Sequence, residues 1–114
     1  MRLSTAFRIA LAAAAVLMLL RALPVSASDD DAARAREGVR TGRFVPADSL
    51  LDWIEARYLG RAIEVELELD DDEPPTYEIE WLTPQNHVVE FEFDARNGAL
   101  LETEGRGLEE ARKP

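Results

Sequence analysis

Three stretches of this chain alternate apolar and charged side chains with a period of two, and that pattern leaves little but a half-covered β-sheet for the chain to fold into. Residues 62–70 read AIEVELELD, with Ile63, Val65, Leu67 and Leu69 interleaved among Glu64, Glu66, Glu68 and Asp70. Thr76–Leu82 (TYEIEWL) sets Tyr77, Ile79 and Trp81 against Glu78 and Glu80. His87–Phe93 (HVVEFEF) sets Val89, Phe91 and Phe93 against Val88, Glu90 and Glu92. Successive side chains of a strand point to opposite faces, so each stretch is predicted to be greasy on one side and charged on the other. Asp71–Pro75 (DDEPP) is predicted to be a turn, because paired prolines and clustered acids interrupt a ladder, and Thr83–Asn86 (TPQN) is another. Asn97-Gly98 signals a tight turn, after which Ala99–Glu104 adds a short fourth strand with Leu101 inward and Glu102 and Glu104 outward.

The apolar side of such a sheet needs a cover. Pro46–Leu59 supplies the amphipathic segment for it: Leu50, Trp53, Ile54 and Tyr58 recur at helical spacing, with Leu51 beside them. Pro46 suits a first turn, Asp48 and Asp52 favour the positive end of the helix, Arg57 the negative end, and Gly60 the stop. Short turns between consecutive strands favour an antiparallel meander. The expected fold class is therefore α+β: one N-terminal helix packed on one face of a three- to four-stranded antiparallel sheet. The opposite face is left to water, lined by Glu64, Glu66, Glu68, Glu78, Glu80, Glu90, Glu92 and Glu102.

The expected domain spans residues 43–104 of the 114. Residues 1–27 have the composition of a secretory signal peptide: Arg2 and Arg8 without acids, an unbroken apolar run from Ile9 to Leu20, then Pro24 and the small residues Ser26 and Ala27, with cleavage expected after Ala27. A membrane anchor is the rival, but such a run rises only about 18 Å as a helix, against about 30 Å of hydrocarbon. Residues 28–42 are rich in Asp, Ala and Arg without bulky apolar side chains and are expected to be a flexible linker, and residues 105–114 a disordered tail. The localisation implied is periplasmic or secreted, with no membrane attachment after cleavage.

Charge and cysteine content narrow the function. With Arg2, Arg8 and Arg21 removed, the thirteen basic residues fall to ten against 23 acids, a net of −13. That charge excludes nucleic acid and anionic lipid and favours basic proteins or cations as partners. There is no cysteine, so cysteine catalysis, zinc–thiolate sites and disulfides are all excluded.

The helix closed by Gly60, the strand Ile63-Glu64-Val65-Glu66-Leu67, the strand Tyr77-Glu78-Ile79-Glu80, and Asp94-Ala95 leading through Gly98 to Leu101 together resemble the PepSY domain. This small module occurs in secreted and membrane-associated bacterial proteins and in propeptides of thermolysin-like metalloproteases. The resemblance runs from about Phe44 to Thr103. Asn97 stands where relatives often have Thr, and Pro84-Gln85-Asn86-His87 replaces the usual Asp-Gly turn. The resemblance implies a non-enzymatic binding or regulatory module that modulates a peptidase or an envelope signalling protein by docking. It brings no catalytic residues, no cofactor and no metal ligands.

The candidate docking face is the row Glu64, Glu66, Glu68, Glu78, Glu80, Glu90 and Glu92, or else an exposed strand edge. A second reading is a divalent-cation-responsive accessory of an envelope sensor system, in which ions crosslink neighbouring glutamates and bind weakly. An envelope hydrolase is a third reading. Its triad would have to join Ser49 to the single histidine, His87; Ser49 is already explained as a helix-start residue, and His87 as a solvated turn residue. Asp70-Asp71-Asp72-Glu73 lacks the alternating acids and central glycine of a calcium loop and is expected to be a solvated turn. Trp53 and Trp81 each fall on the apolar side of their element and are expected in the core.

Overall fold

The computed structural model describes residues 25–26 and 29–114. The leader and its cleavage point after Ala27 fall outside these residues, apart from the strand formed by Val25 and Ser26. In chain order the elements are β1 (Val25–Ser26), α1 (Asp29–Arg40), α2 (Ala47–Glu55), β2 (Arg61–Asp70), β3 (Glu73–Leu82), β4 (Val88–Asp94), β5 (Leu100–Glu104) and a 3₁₀ turn at Glu109–Ala111. β2 to β5 form an antiparallel meander, and β1 adds to the outer side of β2 in parallel.

The expected α+β architecture is what the chain adopts. Leu50, Ile54 and Tyr58 from α2 and its exit meet Val65, Leu67, Tyr77, Ile79, Trp81, Val89, Phe91 and Phe93 from the sheet in one buried cluster. Aromatic rings tie the layers together. Trp53 meets Phe93 edge-on at 5.8 Å, Phe93 lies 6.2 Å from Phe91, and Phe91 lies 5.8 Å from Tyr58. Trp81 is buried and donates its indole N–H to the Leu59 carbonyl at 3.0 Å. Trp53 is half-buried, with the Arg57 guanidinium 4.1 Å over its ring.

α2 is shorter than the periodicity of Pro46–Leu59 suggests. It starts at Ala47 with Pro46 as its extended cap, and after Glu55 the chain turns so that the Arg57 and Tyr58 amides both donate to the Ile54 carbonyl.

Four local expectations are corrected. Residues 29–40, expected within a flexible linker, form α1. Acids open the helix, alanine and arginine favour it, and Arg40 Nη2 reaches Glu37 Oε1 at 2.6 Å. The helix docks through small residues: Ala35 packs on the core, and Gly38 is so close to the Phe44 ring that a Cβ there would lie 2.2 Å from it.

Residues 105–114, expected to be disordered, fold back instead. Ala111 is fully buried, its carbonyl accepts the Leu59 amide at 2.7 Å, and the Lys113 amide donates to Arg57 O at 2.8 Å. Pro74 and Pro75 lie inside β3 rather than in the turn. Asp70 pairs with Glu73 around a two-residue turn, and the prolines occupy an irregularity in the β2–β3 register where no N–H is needed. Finally, β5 carries a bulge at Leu101, since Glu92 pairs with Glu102 but Phe93 pairs with Leu100. Leu101 is therefore exposed instead of inward.

Candidate functional site

The register sorts the glutamates into two rows that cross the whole meander. One runs Glu64–Glu80–Glu90–Glu104 and the other Glu66–Glu78–Glu92–Glu102, each step a directly paired position on neighbouring strands. A third row, Glu68–Thr76–Asp94, begins the same way and changes chemistry. Side chains opposite one another on a sheet have Cβ atoms only about 5 Å apart, so each row holds four carboxylates in near contact. The sequence shows which strands carry acids; only the register shows that the acids line up.

The seven sequence-nominated residues do share this face, but their surroundings differ. Glu78 and Glu80 on β3 are 1% exposed and Glu90 on β4 is 3% exposed, whereas Glu64, Glu66, Glu68 and Glu92 are half-buried and Glu102 and Glu104 are open. The expectation of a fully wetted face is therefore corrected. Burial is deepest on the central strand β3 and least on the β5 edge. All seven take part in hydrogen-bonding or electrostatic interactions. Glu66, Glu68 and Glu78 each place a carboxylate oxygen within 4.8 Å of the others, a spacing that a hard cation can bridge.

The sequence-nominated alternatives do not assemble into a site. Ser49 donates its hydroxyl to the Pro46 carbonyl at 2.6 Å within its own helical turn. His87 receives no hydrogen bond from it among the described residues. His87 is half-buried, not solvated: its ring lies under Gly107, and its amide donates to Thr83 Oγ1 at 3.0 Å. The Asp70 carboxylate accepts the Asp72 amide at 2.9 Å, which makes the acidic turn self-supporting. A groove of about 560 Å³ between α1 and the start of α2 is lined by Ala35, Val39, Pro46 and Tyr77, with Arg36 and Arg40 at its rim, and holds no nucleophile beside a base.

The β4–β5 loop is tied down by several hydrogen bonds. Asp94 accepts from the Arg96 amide at 2.8 Å and from Arg96 Nε and Nη2 at 3.1 and 2.8 Å. These bonds from Arg96 hold the Asp94 carboxyl below its ordinary range. Next to it, the Ala95 amide donates to Pro75 O at 3.0 Å and the Ala95 carbonyl accepts the Val45 amide at 2.8 Å. Tyr77 Oη donates to Val45 O at 2.8 Å, and burial pushes its phenol above the usual range. The loop therefore anchors the lead-in to α2 onto the sheet.

Because the Asp94 carboxyl titrates lower when folded than unfolded, its contribution is full above the unfolded value of about 4 and fades as pH falls through the folded one. Asp94→Asn is expected to lower the melting midpoint at pH 7, and that deficit relative to wild type is expected to shrink progressively as the pH is taken below about 4. A deficit that stays constant down to the acid limit of folding would contradict the assignment.

Two features escaped the sequence: the carboxy-terminal return to Tyr58, and the pairing of Val25–Ser26 with β2. The first had a faint signal in Leu108 and Ala111, apolar residues in a charged tail. The second had none, because two residues carry no periodicity.

No curated protein matches the chain, and no solved structure does. A family model does match: PepSY, described as the peptidase propeptide and YPEB domain, over residues 45–104. That span starts at the Val45 anchor, takes in α2 and all four antiparallel strands, and covers more than half of the 114 residues. The chain belongs to the PepSY family.

Proposed function

We propose that this protein is an exported regulatory module that acts on a peptidase or an envelope sensor protein by docking its glutamate face against a basic surface. PepSY domains are in general non-catalytic modules of the propeptide kind that bind protein partners such as peptidases. Among the described residues no helix is long and apolar enough to cross a membrane. The observation that carries the choice of surface is the alignment of eight glutamates in two rows on one sheet face. The members of those rows that reach solvent, Glu64, Glu66, Glu92, Glu102 and Glu104, present negative charge to Lys and Arg side chains, and complementary charge speeds encounter as well as choosing the partner.

The test uses residues that the structure leaves accessible. Glu66→Gln, Glu92→Gln and Glu102→Gln together neutralise most of one row without touching the buried Glu78. Binding and inhibition are measured against a purified metallopeptidase of the thermolysin-like class at low and moderate salt. Wild type is expected to bind, and the triple variant to bind at least about tenfold more weakly, with the difference shrinking as salt rises. Absence of binding by wild type up to on the order of 100 μM, a loose encounter by any standard, would remove the peptidase as the target.

The grouping of Glu66, Glu68 and Glu78 supports a second reading, a weak divalent-cation response. Three carboxylates leave most of a calcium shell to water, which implies affinity on the order of millimolar. Millimolar calcium is then expected to raise the melting midpoint beyond what sodium chloride of equal ionic strength does, and to lose that advantage in Glu66→Gln. An identical midpoint in the two salts would dismiss this reading.

A further inference from the structure

β2 is ten residues long, and among the described residues the strand pairing along its two sides is unequal. β3 pairs along one side from Arg61 to Asp70, while along the other side the pairing among the described residues is the two-residue β1. Residue 25 sits opposite Val65 and residue 26 opposite Glu66, in parallel. The backbone of β2 on either side of that short pairing continues the same edge, and an edge is a row of donors and acceptors that an extended segment can join. We propose that the outer edge of β2 is a strand-addition site for an extended partner segment that runs parallel to β2 and alternates apolar with basic side chains, and that β1 is its placeholder in cis. This deepens the docking reading and rests on it.

The register dictates the chemistry of the occupant. A strand lying where β1 lies places every second residue at the end of the rows Val65–Ile79–Phe91 and Leu67–Tyr77–Phe93, which are buried apolar rows. The residues between fall at the ends of the glutamate rows that begin with Glu64 and Glu66. Apolar side chains suit the first set and Lys or Arg the second, since opposite charges across strands attract and like charges repel. The same rule disfavours a second copy of this chain. β2, β3 and β4 all carry glutamates at alternate positions, so adding any of them would extend each row with another acid.

The placeholder is also well sited for release. A cut after Ala27 falls one residue beyond the end of β1 and two before the start of α1. Among the described residues the buried cluster and the apolar side chains packed on it all lie from Ala35 onward, so the chain from Ser28 keeps all of them. Processing would then remove β1 together with the rest of the leader and free the edge of β2 that β1 pairs with.

The probe is the peptide acetyl-Lys-Val-Lys-Val-Lys-Val-Lys-amide, titrated into isotope-labelled chain starting at Ser28, with amide shifts read by NMR. Two further copies are N-methylated at the lysines or at the valines, and a third replaces lysine by glutamate. Shifts are expected along β2. One N-methylated copy should bind at least about tenfold more weakly while the other does not, because only alternate amides of an added strand face the sheet. The glutamate copy should fail. The full chain should bind about tenfold more weakly than the processed one, since a tethered occupant competes at high effective concentration. A nitroxide at the peptide amino terminus should broaden resonances near Arg61 and spare those near Asp70.

Equal binding of both N-methylated copies would overturn strand addition and leave face docking intact. Failure of every peptide, while the triple glutamine variant still loses its metallopeptidase, would do the same. Broadening at Asp70 would overturn the parallel orientation, and equal binding by full and processed chains would overturn the role of β1.

Discussion

Phe91→Ala is expected to cost about 4 kcal/mol and to lower the melting midpoint by roughly 20 °C. Phe91 is wholly buried, lies between Tyr58 and Phe93, and belongs to the central row of the sheet with Val65 and Ile79. Truncation removes apolar area and leaves a cavity that β4, held on both sides by β3 and β5, cannot collapse to fill. Domains of this size have only about 5–15 kcal/mol in total, so a large fraction of stability is at stake. Thermal and urea unfolding followed by circular dichroism would measure it, with Phe91→Leu, a milder change expected to cost about 1 kcal/mol, as the comparison. A loss under about 1 kcal/mol for the alanine variant would mean that the packed centre lies elsewhere.

Gly60→Ala is expected to be nearly as damaging, about 3 kcal/mol, although it adds a single methyl group. Gly60 has φ +125°, a conformation that L side chains rarely adopt. A Cβ there would also lie 2.3 Å from the Leu82 carbonyl oxygen and 2.5 Å from Trp81 Nε1. The first neighbour is backbone of a paired strand and cannot yield cheaply. The second is the group that donates to Leu59 O, so relief by moving Trp81 would sacrifice a buried hydrogen bond. The expected signature is a lower midpoint together with a change in tryptophan fluorescence, which Ala56→Gly, an exposed exchange one turn earlier, should not produce. Unchanged fluorescence with unchanged stability would contradict the close approach of Gly60 to Trp81.

Both variants strike at the joint between α2 and the sheet, and that joint was legible in the chain. Leu50, Ile54 and Tyr58 at helical spacing, facing three strands with a period of two, admit few arrangements other than one helix on one face. The antiparallel order followed from short turns, and the apolar identity of the inner face from alternation alone. The candidate site was legible only as composition. Seven glutamates could be assigned to the outer face, but not to rows, because row membership depends on the relative shift of strands that are separate in the sequence.

Where the chain misled, the missing information was likewise non-local. Residues 29–40 look like a tether because they have no bulky apolar side chain, yet helix propensity and one close approach of Gly38 to Phe44 suffice to dock them. The tail looks solvated because it is charged, yet Ala111 finds a buried place beside Leu59 and Arg112 pairs with Tyr58. Pro74 and Pro75 look like a turn because proline lacks a donor, but a strand with a register irregularity does not ask them for one.

The alternation of side chains alone determined a two-faced sheet with a greasy side and an acidic side, since neighbouring residues on an extended backbone must point opposite ways. The tertiary structure decided how the acids are ranked, which are withdrawn from water and which edge of the sheet takes another strand. Those properties depend on how strands far apart in the chain are shifted and ordered side by side, and no local pattern encodes a shift.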